Sequence, residues 1–228
     1  MDFIDSLINI VDILRYEDND ISRQSVVEFK RSEAFRYIFL SINNIIGPHT
    51  HDNIILEPIY FYNGTPKFAS RKENKLEPTK IVSHVIFLPE SDKNDIFMWF
   101  WHLSHEMIHV FLSLKDDEIN SSYDEASLLE EGLATYIAKE LYYDYFKKLN
   151  IRHPIISNND SAYDYAENIY RKIAINNNFD FIKKIRFLNP SLKKLKKEDF
   201  RHISISSDDI EIARLNFQRS FNRVPGTY

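Results

Sequence analysis

Residues 97–114 read Phe97-Met98-Trp99-Phe100-Trp101-His102-Leu103-Ser104-His105-Glu106-Met107-Ile108-His109-Val110-Phe111-Leu112-Ser113-Leu114. Ile96, Phe100, Leu103, Met107, Val110 and Leu114 recur at intervals of three and four, which predicts a helix with a buried stripe. His105 and His109 stand four apart beside that stripe, with Glu106 directly after the first. On a helix, residues i and i+4 share a face one turn apart, so both imidazoles reach a single ion while Glu106, about 100° round, reaches a water on it. A chance match to this five-residue pattern anywhere in the chain is on the order of 2%. His102 lies three residues before His105 on a related face and is read as a neighbour of the ligands or as partly exposed.

The bulk properties narrow the chemistry further. The chain has 228 residues, 43% of them hydrophobic and 14% aromatic, enough to bury a full core as one unit. It contains no cysteine, which removes disulfide frameworks, thiolate zinc fingers and thiol nucleophiles together, so a metal site must be built from His, Asp and Glu. Only four glycines and eight prolines point to a mainly helical chain. The first residues are acidic and lack a basic n-region, and no apolar run approaches the length of a membrane span; the expectation is a soluble, cytoplasmic protein with no membrane partner. A net charge of −5 gives no general reason to expect nucleic acid. The local exception is Lys183, Lys184, Arg186, Lys193, Lys194, Lys196 and Lys197, interleaved with apolar residues and read first as a solvated face.

Outward from the decisive stretch, the chain divides into four parts of one expected domain spanning residues 1–228. Residues 1–50 form a helical N-terminal part, with helical spacing over Asp2 to Tyr16 and Ser22 to Ile46 and a stop at Gly47-Pro48. Residues 54–89 form a small β region, with strands over Ile54 to Tyr62 and Lys80 to Leu88 and a polar loop over Pro66 to Pro78. Residues 94–147 carry the metal-binding helices, and residues 160–228 a helical C-terminal part, with breaks near 116–122, 153–159 and Asn189-Pro190. The fold class expected is α+β and mostly helical.

Two histidines do not complete a catalytic metal site, which needs a third protein ligand. Leu128-Leu129-Glu130-Glu131-Gly132-Leu133-Ala134-Thr135-Tyr136 supplies tandem carboxylates at the start of a second helical stretch. Both border its apolar stripe, and helix geometry alone does not choose between neighbours 100° apart. Gly132 inside a helix costs about 0.5–1 kcal/mol relative to alanine, which close approach of the first helix would explain.

The pair His-Glu-Met-Ile-His and Glu-Glu-Gly-Leu-Ala-Thr-Tyr resembles the gluzincin zinc peptidases, in which HExxH is completed by the Glu of a downstream E-G-x-A motif. The resemblance implies a zincin-like fold, with a small sheet preceding the HExxH helix and a helical C-terminal lobe. It also implies a zinc ion held by His105, His109 and Glu131. Tyr163-Asp164-Tyr165-Ala166 resembles the helix that follows in aminopeptidase-like members, whose leading tyrosine steadies the tetrahedral intermediate; Tyr163 matches it, with Ala166 where glycine is commoner.

The implied activity is hydrolysis of a peptide or protein substrate, with Glu106 as general base and Tyr163 as helper. The strand Lys80 to Leu88 sits where these enzymes carry the edge strand that pairs with extended substrate. No G-x-M-E-N segment for gripping a free α-amine is present, so endopeptidase action of restricted specificity is expected. Two other classes stay open: a zinc-binding regulatory or interaction protein without turnover, and an anion or nucleic-acid binding module using Lys183 to Lys197. The acidic residues Asp116, Asp117, Glu118, Asp124 and Glu125 are read as a solvated loop.

Overall fold

The computed structural model describes residues 31–47, 55–56, 58–73, 80–113, 126–156, 161–177, 181–189, 192, 195–201, 203–215 and 217. The helix expected over Asp2 to Tyr16, the start of the next, and the acidic run 116–125 lie outside them. Helix α1 (Arg31–Ile46) buries Ala34, Phe35, Ile38, Ile42 and Ile46, spaced at helical intervals. It stops where expected: Gly47 has φ +89°, open to glycine at little steric cost, and its amide donates to the Asn43 carbonyl at 3.0 Å.

Four strands follow, β1 (Ile55–Leu56), β2 (Tyr60–Tyr62), β3 (Lys67–Glu73) and β4 (Lys80–Pro89). β3 runs antiparallel along β4 from Lys67 opposite Phe87 to Glu73 opposite Lys80. β1 and β2 both run parallel to β4, at Ser83–His84 and Phe87–Pro89, so they share its other edge. Their pairing slips by one residue across exposed Pro58, which has no amide hydrogen to give a ladder, so the single strand expected over Ile54 to Tyr62 is instead two short ones.

Two further expectations are corrected. Residues 67–73 are a strand and not part of a polar loop. Their composition carries no alternating apolar signal, and it is the ladder to β4, with a bulge between Arg71 and Lys72, that makes them extended. In consequence β4 is central, with both edges occupied, and the outer position it was expected to hold falls to β3.

Beyond β4 the chain makes a short 3-10 turn (Glu90–Lys93) and enters α2 (Ile96–Leu112), capped by Asp95, whose carboxylate accepts from the Phe97 and Met98 amides at 3.0 Å each. Its buried residues run all round the helix: Trp99, Trp101, Ser104, Ile108 and Phe111 are buried along with the expected Phe100, Leu103, Met107 and Val110. The helix packs against β3, β4, α1 and α3 (Leu128–Lys148). Then come α4 (Ser161–Asn177), α5 (Phe181–Leu188), a 3-10 turn (Lys197–Phe200) and α6 (Ser207–Arg214). The molecule is α+β and mostly helical, and one hydrophobic cluster draws on the sheet and on each of the six helices among the described residues.

Candidate metal centre

Two helices position the cluster. His105 and His109 lie on successive turns of α2 among fully buried Leu103, Met107 and Ile108. Glu130 and Glu131 occupy the first turn of α3, which Ser127 caps by accepting from the Glu130 amide at 3.2 Å. A helix N-terminus carries partial positive charge, which suits the ionised Glu131 carboxylate.

The side chains converge. His105 Nε2 lies 3.2 Å from His109 Nε2 and 3.2 Å from Glu131 Oε2, and His109 Nε2 lies 3.5 Å from that oxygen. Zinc ligands about 2.0–2.1 Å from an ion in tetrahedral array sit about 3.3–3.5 Å from one another. The two imidazoles and one carboxylate therefore have the donor type and the spacing of a three-ligand site. Among the described residues, His105, His109 and Glu131 are the group of His, Asp and Glu placed to hold an ion.

Glu130 and Glu131 take different tasks. Glu130 Oε1 accepts from His109 Nδ1 at 2.9 Å, fixing the ring so that Nε2 faces Glu131. Glu131 meets both Nε2 atoms.

The electrostatics follow from this packing. Burial works against the charge on Glu131, but the His109 charge and the hydrogen bonds from His105 and His109 override it and hold the carboxyl well below the usual range. Burial likewise favours a neutral His109; the Glu131 charge and the bonds to Glu130 and Glu131 raise its pKa well above the ordinary histidine value. Glu106, 6% exposed, has its pKa raised by burial against the pull of His105 and His109. Glu106 and Glu131 are thus shifted in opposite directions, Glu106 toward holding a proton and Glu131 toward losing one.

Tyr163 comes from α4, its ring centroid 5.9 Å from that of His105 at an interplanar angle of 75°. It also packs on Phe217, 5.0 Å between centroids. His102 stays outside the donor triad and its Nδ1 meets buried Asp92 at 2.7 Å.

Gly132 is explained by a different neighbour from the one expected. A Cβ there would lie 2.1 Å from the Ala166 carbonyl oxygen, so the helix that presses on it is α4, which carries Tyr163, and not α2. Sequence reasoning also missed Phe68 on β3, whose ring stacks on His109 at 9° and 5.9 Å between centroids. No motif marks that phenylalanine, and only the β3–β4 pairing brings it over α2.

Among the described residues, then, the chain is an α+β, mostly helical molecule with a candidate three-ligand metal centre, and none of its helices is long and apolar enough to cross a membrane. No protein-family model, curated protein or solved structure matches it.

Proposed function

We propose that the chain is a zinc-dependent peptide-bond hydrolase of gluzincin type, an endopeptidase of restricted specificity. The observation that carries this is the meeting of His105 Nε2, His109 Nε2 and Glu131 Oε2 at 3.2–3.5 Å, with Glu106 in the same helical turn as His105. Two nitrogen donors and one carboxylate suit zinc, and three protein ligands leave a position for water or substrate. Zinc, when bound, supplies acidification of a water and polarisation of a scissile carbonyl.

The remaining work belongs to the chain's own residues. Glu106 takes the proton from the attacking water and returns it to the departing amine, for which a buried carboxylate with a raised proton affinity is suited. Glu130 keeps the His109 ring in register by holding Nδ1. Tyr163, whose ring packs beside His105, is assigned the donor role to the developing oxyanion. Substrate has a strand to pair with in β3, which among the described residues pairs with β4 alone and reaches the centre through Phe68. Main-chain pairing at such an edge binds extended peptides with little demand on their sequence.

The test has two stages. Purified protein should take up about one equivalent of zinc, and His105→Ala or Glu131→Ala should lose it. Wild type should then cleave members of a peptide library internally, while Glu106→Gln keeps its zinc and loses cleavage by at least about a hundredfold. Absence of zinc uptake removes the metal centre. Uptake with equal cleavage by both proteins, or with none by either, makes the chain a zinc-binding protein without turnover.

A further inference from the structure

Helix α5 has its polarity reversed at its C-terminal end. Its inward face is Phe181, Ile182, Ile185 and Arg186, all buried. Its outward face is Lys183, Lys184, Phe187 and Leu188, which fall within an arc of about 140°. Phe187 is 89% exposed and Leu188 57%, while the arginine beside them is buried. The phase of the helix is set by Phe181, Ile182 and Ile185, so a polar residue at 187 would fit the fold as well as phenylalanine does. Phe187 and Leu188 are adjacent and stand beside lysines on the same face, the combination of apolar and basic groups that interfacial helices use.

The rim is basic. Lys183 and Lys184 precede Phe187 and Leu188 by one turn. Asn189, directly after Leu188, bonds Asp199 at 3.3 Å, and Asp199 also accepts from the Lys196 amide at 2.7 Å. Exposed Lys196 and Lys197 are thereby held at the end of α5, with Glu198 the exposed acid next to them.

We propose that this face of α5 docks on an anionic lipid bilayer. Phe187 and Leu188 enter the boundary between headgroups and acyl chains, and the four lysines meet headgroup phosphates with their stems lying along the apolar layer. The charge is complementary only locally: the whole chain is at −5, which opposes wrapping a long polyanion but not touching a plane with one patch. A leucine exposed next to the phenylalanine favours acyl chains over stacked bases. Arg186 ties the helix to the fold by donating to the Ile46 and Phe111 carbonyls at 2.6 and 2.9 Å, so the docking face is rigid before contact. The inference stands apart from the metal centre and does not depend on hydrolysis.

Flotation of the full chain at low salt tests it, with vesicles of phosphatidylcholine alone and of phosphatidylcholine with about one-third phosphatidylserine. The protein should float with the second vesicles only, and added salt should release it. Phe187→Ser with Leu188→Ser, and separately Lys183→Glu with Lys184→Glu, should each lower partitioning by about tenfold or more. These side chains point to solvent, so both variants should keep the wild-type unfolding midpoint. No flotation with phosphatidylserine overturns the proposal, as does flotation unchanged in either variant. Tighter binding of a single-stranded oligonucleotide by the same lysines would reassign the patch to nucleic acid and overturn it too.

Discussion

His109 is held at both ring nitrogens, by Glu130 at Nδ1 and by the Glu131 and His105 pair at Nε2. Its raised pKa favours the protonated ring when no metal is bound. A metal ion must displace the Nε2 proton, whereas Glu131, held well below the ordinary carboxylate range, is ionised already and releases none. The sign follows: below the raised pKa of His109, zinc affinity should rise with pH by about tenfold per unit, with release of about one proton per zinc. Glu130→Gln keeps an acceptor for Nδ1 but removes the charge. It should weaken zinc binding by about tenfold and start the pH-independent plateau at lower pH. Competition against a chromophoric chelator across pH 5.5–8, about the span over which histidine titrates, reads both, and a flat wild-type profile would show that His109 is neutral in the metal-free protein. The histidines and Glu106 were legible in the sequence because i and i+4 fix a shared helical face. The choice of Glu131 over Glu130 came from the resemblance and not from geometry, since adjacent residues differ by about 100° in direction, and the bond from Glu130 to His109 Nδ1 depends on the approach of α3 to α2, which no motif encodes.

Elements meet at this centre with little slack. The Ala166 carbonyl presses on Gly132, one residue past Glu131, so the close crossing of α4 on α3 also places Tyr163 against His105. At the other end of the chain, Leu215 and Phe217 bond across to Leu128 and Ala126 at 2.9 Å, which fastens the start of α3, and Phe217 supports Tyr163. Gly132→Ala should test the crossing. Alanine gains about 1 kcal/mol of helix propensity over glycine. Overpacking against rigid backbone costs about 1–3 kcal/mol, and a 2.1 Å approach to a carbonyl lies at the severe end. We expect a net loss of about 1–2 kcal/mol in urea denaturation, where any stabilisation would show that the helices separate freely. The described helices and the strand over Lys80 to Leu88 were readable from periodicity and β-branched runs, whereas the run Ile54 to Tyr62 reads as one strand and forms two, β1 and β2. β3 was not readable, because Lys67–Glu73 is extended by its partner and not by its own pattern.

Across the whole molecule, Arg186 joins parts that are distant in sequence. Its guanidinium donates to the carbonyls of Ile46 and Gly47 where α1 ends and to that of Phe111 near the end of α2. Burial pushes its pKa down only to about 10, so it stays charged at neutral pH and lies where two helix dipoles are negative. Within a run of lysines this arginine reads as part of a solvated face, and its inward direction depends on the phase that Phe181, Ile182 and Ile185 impose on α5. The planar fork suits the task, since one group must satisfy carbonyls from two helices at once. Arg186→Met fills similar volume but leaves those carbonyls without their donor, at about 1–3 kcal/mol for a buried group so deprived. We therefore expect Arg186→Met to lose about 3 kcal/mol, and Arg186→Lys to recover only part of it, because a single ammonium does not span both helix ends. The urea midpoint should fall with the slope unchanged, meaning that the same surface is exposed on unfolding. A midpoint for Arg186→Met equal to wild type would mean that water satisfies these carbonyls and that packing alone holds α5 to α1 and α2.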